Sequence, residues 1–470
     1  MIDGFRRTKI VATIGPASSE PQTLRQLVDA GVDVMRLNFS HGDLEEKATV
    51  IGRIRAVEAE AGRPIAILQD IQGPKIRVGA IRNPPLHLTP GDTLDVHDDG
   101  REGGPGEIST NYANLAGEVE EGASIFLDDG AIELRVTGAQ DSTLRCEVVV
   151  GGELSPGKGV NLPNAHLNVE TLTEKDHQDL SFGAKHGVDY VAISFVRRPE
   201  DAGLARGVMR SLGPPVPLIA KLEKREAVDR LASVLRAFDG AMVARGDLGV
   251  ELRPERVPAV QKQIITAARS IGRPVITATQ MLESMTTNRR PTRAEASDVA
   301  NAVLDGTHAV MLSGETAIGL HPVEVVKAMH RIVVEAERIE DVRPPPVLPS
   351  RSIADAVCRS AAALADEVDA TALVAFTRSG RTAQTLSSLQ PDMPIIALCE
   401  SVTMARRLCL WRGVMPLLIS PGHSGESPAQ RIERELSQRG ILPRGSRLVS
   451  VGAAPGGRAG QTNFIRLSRL

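Results

Sequence analysis

The sequence predicts an α/β fold in three parts: a (β/α)8 barrel, a small β-barrel lid domain inserted into it, and a C-terminal α/β domain. Three observations carry this. Eight short apolar, mostly β-branched runs recur through residue 312, each followed by a helical pattern. One spacing between consecutive runs is far longer than the rest. A stiff proline segment, Arg343-Pro344-Pro345-Pro346, then precedes a second series of alternating strands and helices.

The eight runs are Thr8–Ile14, Val32–Phe39, Pro64–Ile71, Val188–Phe195, Pro217–Leu222, Gly240–Ala244, Pro274–Ala278 and His308–Leu312. Their start-to-start spacings are 24, 32, 124, 29, 23, 34 and 34 residues. Strands alternating with helices at this pitch are parallel βα units, and eight of them suggest a closed barrel of the TIM type with a packed interior. Between the runs, Ser19 before Pro21 starts a helix with Leu24, Leu27 and Val28 on one face, ended by Gly31. Thr292-Arg293-Ala294-Glu295 fits a capping box that opens a helix stopped by Gly306. Val257, Val260, Ile264, Ala268 and Ile271 form one helical stripe. These apolar positions read as core.

A βα unit needs about 30 residues, so the long gap holds an insert of about 90 to 100 residues. The insert has alternating strands such as Ser124–Leu127 and Ile132–Val136, with a hairpin turn at Asp129-Gly130. Attached at the barrel mouth, it is a natural lid. The expected organisation is therefore 1–71 with 169–342 as the barrel, 72–168 as the lid and 343–470 as the C-terminal domain. In that last part, strands are expected near Ala372–Phe376, Ile395–Leu398, Met415–Ile419 and Leu448–Val451.

Composition narrows the function. The chain has 470 residues, 42% of them hydrophobic, and a formal net charge of −3, which argues against a disordered chain and a strongly basic nucleic-acid binder. Aromatic residues are 2% of the chain, too few for base-stacking platforms. No apolar run is long enough to cross a membrane, and the N-terminus lacks a signal-peptide core, so a cytoplasmic protein is expected. Cys146, Cys358, Cys399 and Cys409 show no metal-binding spacing and read as reduced packing residues.

In such a barrel, chemistry sits where strands end and loops begin at one rim. Reading the polar residues at the strand ends in order gives Arg36, Asn38, Ser40 and His41; Asp70, Lys75 and Arg77; Ser194; Lys221 and Glu223; Arg245, Gly246 and Asp247; Thr279 and Gln280; and Ser313 and Glu315. Cations, carboxylates and hydroxyls thus converge. Such a ring suits a divalent metal holding phosphate oxygens, with Arg and Lys neutralising the remaining charge. Glu223 and Asp247, at equivalent ends of consecutive strands, are the expected metal ligands. An isolated Lys-x-Glu pair is usually a surface ion pair, but Pro217-Leu218-Ile219-Ala220 delivers Lys221 and Glu223 to a strand end. Gly246 permits close backbone approach, so nearby amides could bind a carboxylate; most glycines in this setting are ordinary turn residues. The segment from Gly152 to Gly159 nearly matches a phosphate-binding loop but lacks the final Ser or Thr and opens no helix, so it is rejected as one, although Lys158 could still reach a nucleotide phosphate.

Five motifs then carry a resemblance. Thr8-Lys9-Ile10-Val11-Ala12-Thr13-Ile14-Gly15-Pro16-Ala17-Ser18, Arg36-Leu37-Asn38-Phe39-Ser40-His41-Gly42, Ala244-Arg245-Gly246-Asp247-Leu248-Gly249-Val250-Glu251, Ala278-Thr279-Gln280-Met281-Leu282-Glu283-Ser284-Met285 and Met311-Leu312-Ser313-Gly314-Glu315-Thr316-Ala317 resemble the pyruvate kinase family, in the right order and over essentially the whole chain. The resemblance implies transfer of the phosphoryl group of phosphoenolpyruvate to ADP, giving pyruvate and ATP. It implies Mg²⁺, or Mn²⁺ in its place, on Glu223 and Asp247, with Lys221 stabilising the phosphoryl group and the enolate. Arg36 and Arg77 would hold the transferring phosphoryl, and Thr279 with the Gly246-Asp247 backbone would bind the substrate carboxylate. Ser313 and Glu315 would join the polar network near enolate protonation. Asn38, His41, Pro74, Arg77 and Lys158 would meet the nucleotide. Lys221, Thr279 and an ordered water all remain candidates for the proton donor. A homotetramer is the assembly the family implies.

One departure is informative. Many family members have a glutamate in place of Lys75 and require K⁺; Lys-bearing members resemble a K⁺-independent branch. An ammonium at Lys75 supplies the charge a bound K⁺ would bring and repels K⁺ from the same pocket. K⁺ is therefore expected not to be required. In the C-terminal domain, Thr377, Arg378, Ser379, Gly380, Arg381 and Thr382 lie between a strand and a helix, a composition that suits a phosphate cradle or an ordinary capped turn. The family implies a phosphorylated effector in a corresponding loop, hence allosteric activation. Two other readings compete: an Mg²⁺-dependent barrel lyase acting through an enolate, which would not need the Arg36 and Arg77 clamp, and a silent metabolite sensor, which would have lost catalytic residues.

Overall fold

A computed structural model describes residues 5–163, 165, 167–339, 352–420, 428–453 and 462–470. Eight strands, Lys9–Ile14, Val34–Asn38, Ala66–Asp70, Tyr190–Ile193, Leu218–Leu222, Gly240–Ala244, Val275–Ala278 and Ala309–Leu312, close into one barrel. All neighbours are parallel, and the first strand pairs with both the second and the eighth. The sixth strand matches its apolar run; the other strands are shorter than theirs, most of all Tyr190–Ile193 within Val188–Phe195.

Side-chain alternation with a period of two explains what the barrel does. Val11, Val34, Leu68, Ala192, Ile219, Met242, Ile276 and Met311 form one buried cluster, the barrel interior. Ile10, Ala12, Met35, Ile67 and Leu218 belong to a second cluster, shared with the surrounding helices. Continuing the inward parity by one step places Thr13, Arg36, Asp70, Ser194, Lys221 and Ser313 at the mouth, directly above the apolar layer. The interior cluster also includes Cys409 and Leu410 from the C-terminal part, which plug the opposite end. Arg406 forms a paired contact with Glu58, and Lys9 Nζ donates to the Val414 carbonyl at 2.7 Å, so that part is fixed to the barrel base.

The insert forms a six-stranded and a two-stranded sheet around its own core, which includes Leu94, Ile108, Leu134 and Leu144. Its barrel-like closure comes from isolated bridges, Arg77 to Gly159 and Val78 to Thr110, rather than from a full ladder. The expected hairpin turns through Asp128, Asp129 and Gly130, all with positive φ. Gly152–Leu154 and Val160–Asn161 are strands, so the near phosphate-loop match opens no helix. The Thr292–Glu295 capping box is present, whereas the first helix, Pro21–Asp29, has Glu20 rather than Ser19 at its N-cap and Ala30 at its C-cap.

The C-terminal sheet has five strands in the order Val414–Leu418, Ile395–Cys399, Ala372–Phe376, Arg447–Gly452 and Phe464–Arg469. The last is antiparallel and was not expected from the sequence, since it breaks the strand-helix period. The Arg343–Pro346 segment lies outside the described residues. All four cysteines are buried and free.

Candidate active site

The mouth is organised around Asp70, which is 1% exposed. Its carboxylate accepts from Arg36 Nε at 2.7 Å and lies 3.3 Å from Lys221 Nζ. Lys221 also donates to Ser194 Oγ at 2.7 Å and pairs with Glu223 Oε1 at 2.8 Å. Burial opposes the Asp70 charge, but Lys221 and Arg36 hold its pKa below the usual carboxylate range. Burial likewise opposes the Lys221 charge, and Asp70 and Glu223 outweigh it, so its pKa is raised. Glu223 behaves in the opposite way to Asp70. Burial, reinforced by the nearby Asp247 carboxylate and only partly offset by Lys221, pushes its pKa up. Its second oxygen accepts from the Phe195 amide at 2.8 Å.

Asp247 opens the short helix Arg245–Glu251. It faces Lys75, whose Nζ lies 3.6 Å from Asp247 Oδ1 and 3.8 Å from Asp129 Oδ1 of the lid. Lys75 therefore bridges barrel and lid beside the candidate metal ligands. The donor chemistry at Glu223 and Asp247 fits a divalent cation: two oxygen ligands converge in one field, and one of them is buried with its charge disfavoured. Among the described residues no group of three or more His, Cys, Asp or Glu gathers at metal spacing.

Thr279 sits in left-handed backbone, φ +67°, followed by Gln280 at +53°; a β-branched residue there is strained. Its hydroxyl accepts from the Gly246 amide at 2.9 Å and donates to the Ala278 carbonyl at 2.7 Å. The Gly246 N–H is thus engaged by Thr279. A Cβ on Gly246 would come no closer than 3.7 Å to Thr279 Oγ1, so the protein's own neighbours do not require glycine there. Glu315 is fully buried and accepts from the amides of Ser313 at 2.6 Å and Leu282 at 3.1 Å, bracing two mouth loops together. The Ser313 hydroxyl is buried with no hydrogen-bond partner.

The expected nucleotide-side residues spread outward. Asn38 accepts from the Ser40 amide at 3.1 Å. His41 is exposed, and partial burial with the charges of Arg77, Lys47 and Arg36 lowers its pKa. Arg77 Nη1 donates to the Gly157 carbonyl of the lid at 2.9 Å, and Lys158 pairs with Asp128 at 2.8 Å. Pro74 lines a crevice with Phe195, Lys224 and lid residues. Further from the mouth, Thr377 is buried, Arg378 is mostly exposed 3.8 Å from Glu400, and Ser379 and Arg381 are exposed. Gly380 has φ +80°, and a Cβ there would meet Met404 Sδ at 2.6 Å. Thr382 bonds Thr462 through their hydroxyls at 2.8 Å.

Sequence reasoning placed Asp70 and Ser194 at strand ends but gave them no role; their inward parity was the available signal. It also missed Glu251, a buried carboxylate that pairs with Lys224 at 2.5 Å and accepts from the lid's Asn161 at 3.3 Å.

A closed barrel whose mouth alternates buried cations and carboxylates under a sheet lid defines an enzyme built for a phosphorylated small molecule. Residues 5–326 match the family model described as "Pyruvate kinase, barrel domain", and residues 355–468 match "Pyruvate kinase, alpha/beta domain". The chain is 42% identical over 465 residues to a pyruvate kinase of Mycobacterium tuberculosis, covering 99% of this chain and 98% of that one. It is 44% identical over 468 residues to a pyruvate kinase of Corynebacterium glutamicum, with 99% and 98% covered, and 46% identical over 471 residues to "Pyruvate kinase 2" of Synechocystis, with 98% and 79% covered. The chain belongs to the pyruvate kinase family, and it is a phosphotransferase. No helix among the described residues is long and apolar enough to cross a membrane.

Proposed function

We propose that the barrel mouth transfers the phosphoryl group of phosphoenolpyruvate to ADP, yielding pyruvate and ATP. The observation that carries this is the Lys221 ammonium, held by Asp70 and Glu223 above the barrel interior, with Arg36 on the other Asp70 oxygen. A loose phosphoryl-transfer transition state leaves the protein mainly positioning and charge neutralisation to supply, and this arrangement supplies both. Glu223 and Asp247 would hold Mg²⁺, or Mn²⁺ in its place. When bound, that ion neutralises phosphoryl charge and polarises a substrate oxygen. Lys221 and Arg36 neutralise the transferring group, and Arg77 and Lys158, both anchored on the lid, act from the nucleotide side. Thr279, fixed by Gly246, orients the substrate carboxylate, and Ser313 and the Glu315 brace shape the wall nearest the enolate. A coupled lactate dehydrogenase assay with ADP and phosphoenolpyruvate tests the reaction; absence of pyruvate formation contradicts it.

Turnover needs a divalent ion and not K⁺. Lys75 supports this, because its ammonium already places a fixed monovalent charge between Asp247 and Asp129. In tetramethylammonium buffer with Mg²⁺, adding KCl is expected to leave the rate unchanged; strong activation contradicts the assignment. The 377–382 loop is the proposed site of a phosphorylated activator, and the assembly is a homotetramer, read by light scattering.

A further inference from the structure

Lys221 has three N–H donors, and all three face protein acceptors: Ser194 Oγ at 2.7 Å, Glu223 Oε1 at 2.8 Å and Asp70 Oδ1 at 3.3 Å. The Ser194 hydroxyl donates to the Ile71 carbonyl at 2.6 Å, with Asp70 Oδ1 a much longer second acceptor at 3.4 Å. Its lone pair is therefore fixed toward the ammonium by the end of the third barrel strand. Arg36 is held by the same construction. Its Nη1 donates to Thr13 Oγ1 at 2.9 Å, and the Thr13 hydroxyl proton goes to the Leu312 carbonyl at 2.8 Å. Asp70 stands between the two cations, one oxygen on each. Thr13, Asp70 and Ser194 are 3%, 1% and 2% exposed, so water does not substitute for them.

We propose that Thr13, Asp70 and Ser194 are positioning residues that fix the Arg36 guanidinium and the Lys221 ammonium at the separation phosphoryl transfer needs. Two like charges in one low-dielectric cavity repel, and the shared carboxylate removes that repulsion without occupying the substrate's side. The two hydroxyls set direction: each is an acceptor whose rotor is locked by a strand-end carbonyl. The 3.3 Å contact to Asp70 is the longest of the three on Lys221, but it joins opposite charges in a buried setting and so anchors the ammonium as well as balancing it. The proposal rests on the reading that Arg36 and Lys221 neutralise the phosphoryl group.

The test uses Ser194→Ala and Thr13→Val, which remove a hydroxyl and little volume, alongside Asp70→Asn and Lys221→Gln. Ser194→Ala and Thr13→Val are expected to lower kcat/KM for phosphoenolpyruvate roughly tenfold or more, as for loss of a hydrogen bond to a charged group. Asp70→Asn is expected to lower it on the order of a hundredfold. KM for ADP stays within about twofold in all three. Calorimetric binding of phosphoenolpyruvate to the Mg²⁺-loaded protein supplies a second readout: Ser194→Ala weakens it in the parent chain and adds nothing in the Lys221→Gln background. Losses that add fully in that background, or hydroxyl variants with unchanged kcat/KM beside an inactive Lys221→Gln, overturn the positioning role alone. A fully active Lys221→Gln overturns it together with the reading beneath it.

Discussion

At the base of the barrel, Asp33 accepts from Arg6 at 2.7 Å and from the Ile10 amide at 2.9 Å, with Lys9 Nζ 3.7 Å away. Burial opposes its charge, but Arg6 and Lys9 take its pKa from 3.8 to about 2. At the mouth, Glu223 is more deeply buried than Asp33 and also touches a lysine, and its pKa moves up. Both ends bury ion pairs, so burial of charge does not by itself mark a site. The base network is closed: cations, backbone amides and the docked C-terminal part satisfy it. The mouth network is open toward Asp247, and a further cation would complete it. That contrast agrees with the general division in such barrels, chemistry at the C-terminal rim and stability at the N-terminal one.

The contrast breaks most sharply with paired substitutions. Lys221→Gln is expected to lower kcat by a factor on the order of 10³ and, because it leaves Asp70 and Glu223 short of a cation, to lower the melting temperature as well. An unchanged kcat in Lys221→Gln would contradict the division. Asp33→Asn is expected to cost about 3 kcal/mol of stability but to leave kcat and KM unchanged. Its pH dependence follows from a depressed carboxylate. The stability Asp33 contributes is fully present above pH 3.8 and is lost as pH falls through about 2. Thermal melts at stepped pH should show the gap between parent and Asp33→Asn narrowing only below about pH 4.

The smallest effect is expected in the C-terminal loop, where Arg378, Ser379 and Arg381 are exposed and Thr382 is already paired with Thr462. Thr377→Ala with Ser379→Ala should leave unactivated turnover as it is and weaken activation by a phosphorylated metabolite several-fold, about 1 kcal/mol. Unchanged activation by every phosphorylated metabolite tried would remove the effector assignment.

Much of this was legible in the sequence because a parallel barrel turns linear order into a ring. The C-terminal ends of strands two, three and five point to the mouth by period alone, and that carried Arg36, Asp70 and Lys221. The capping box at Thr292 was equally local. What stayed hidden depends on long-range packing. The Cys409–Leu410 plug looks like the end of a helix until the barrel closes over it. Glu315 reads as a polar site residue, and only the fold shows both its oxygens on loop amides. Phe464–Arg469 is an antiparallel edge strand, half exposed, with no helix to announce it.

The most direct measurement is anomalous diffraction from crystals of the protein grown with Mn²⁺. The account predicts a single strong peak bonded to both the Glu223 and Asp247 carboxylates, at about 2.2 Å from each, with Lys221 on the same side. A peak elsewhere with those two carboxylates unoccupied would contradict it.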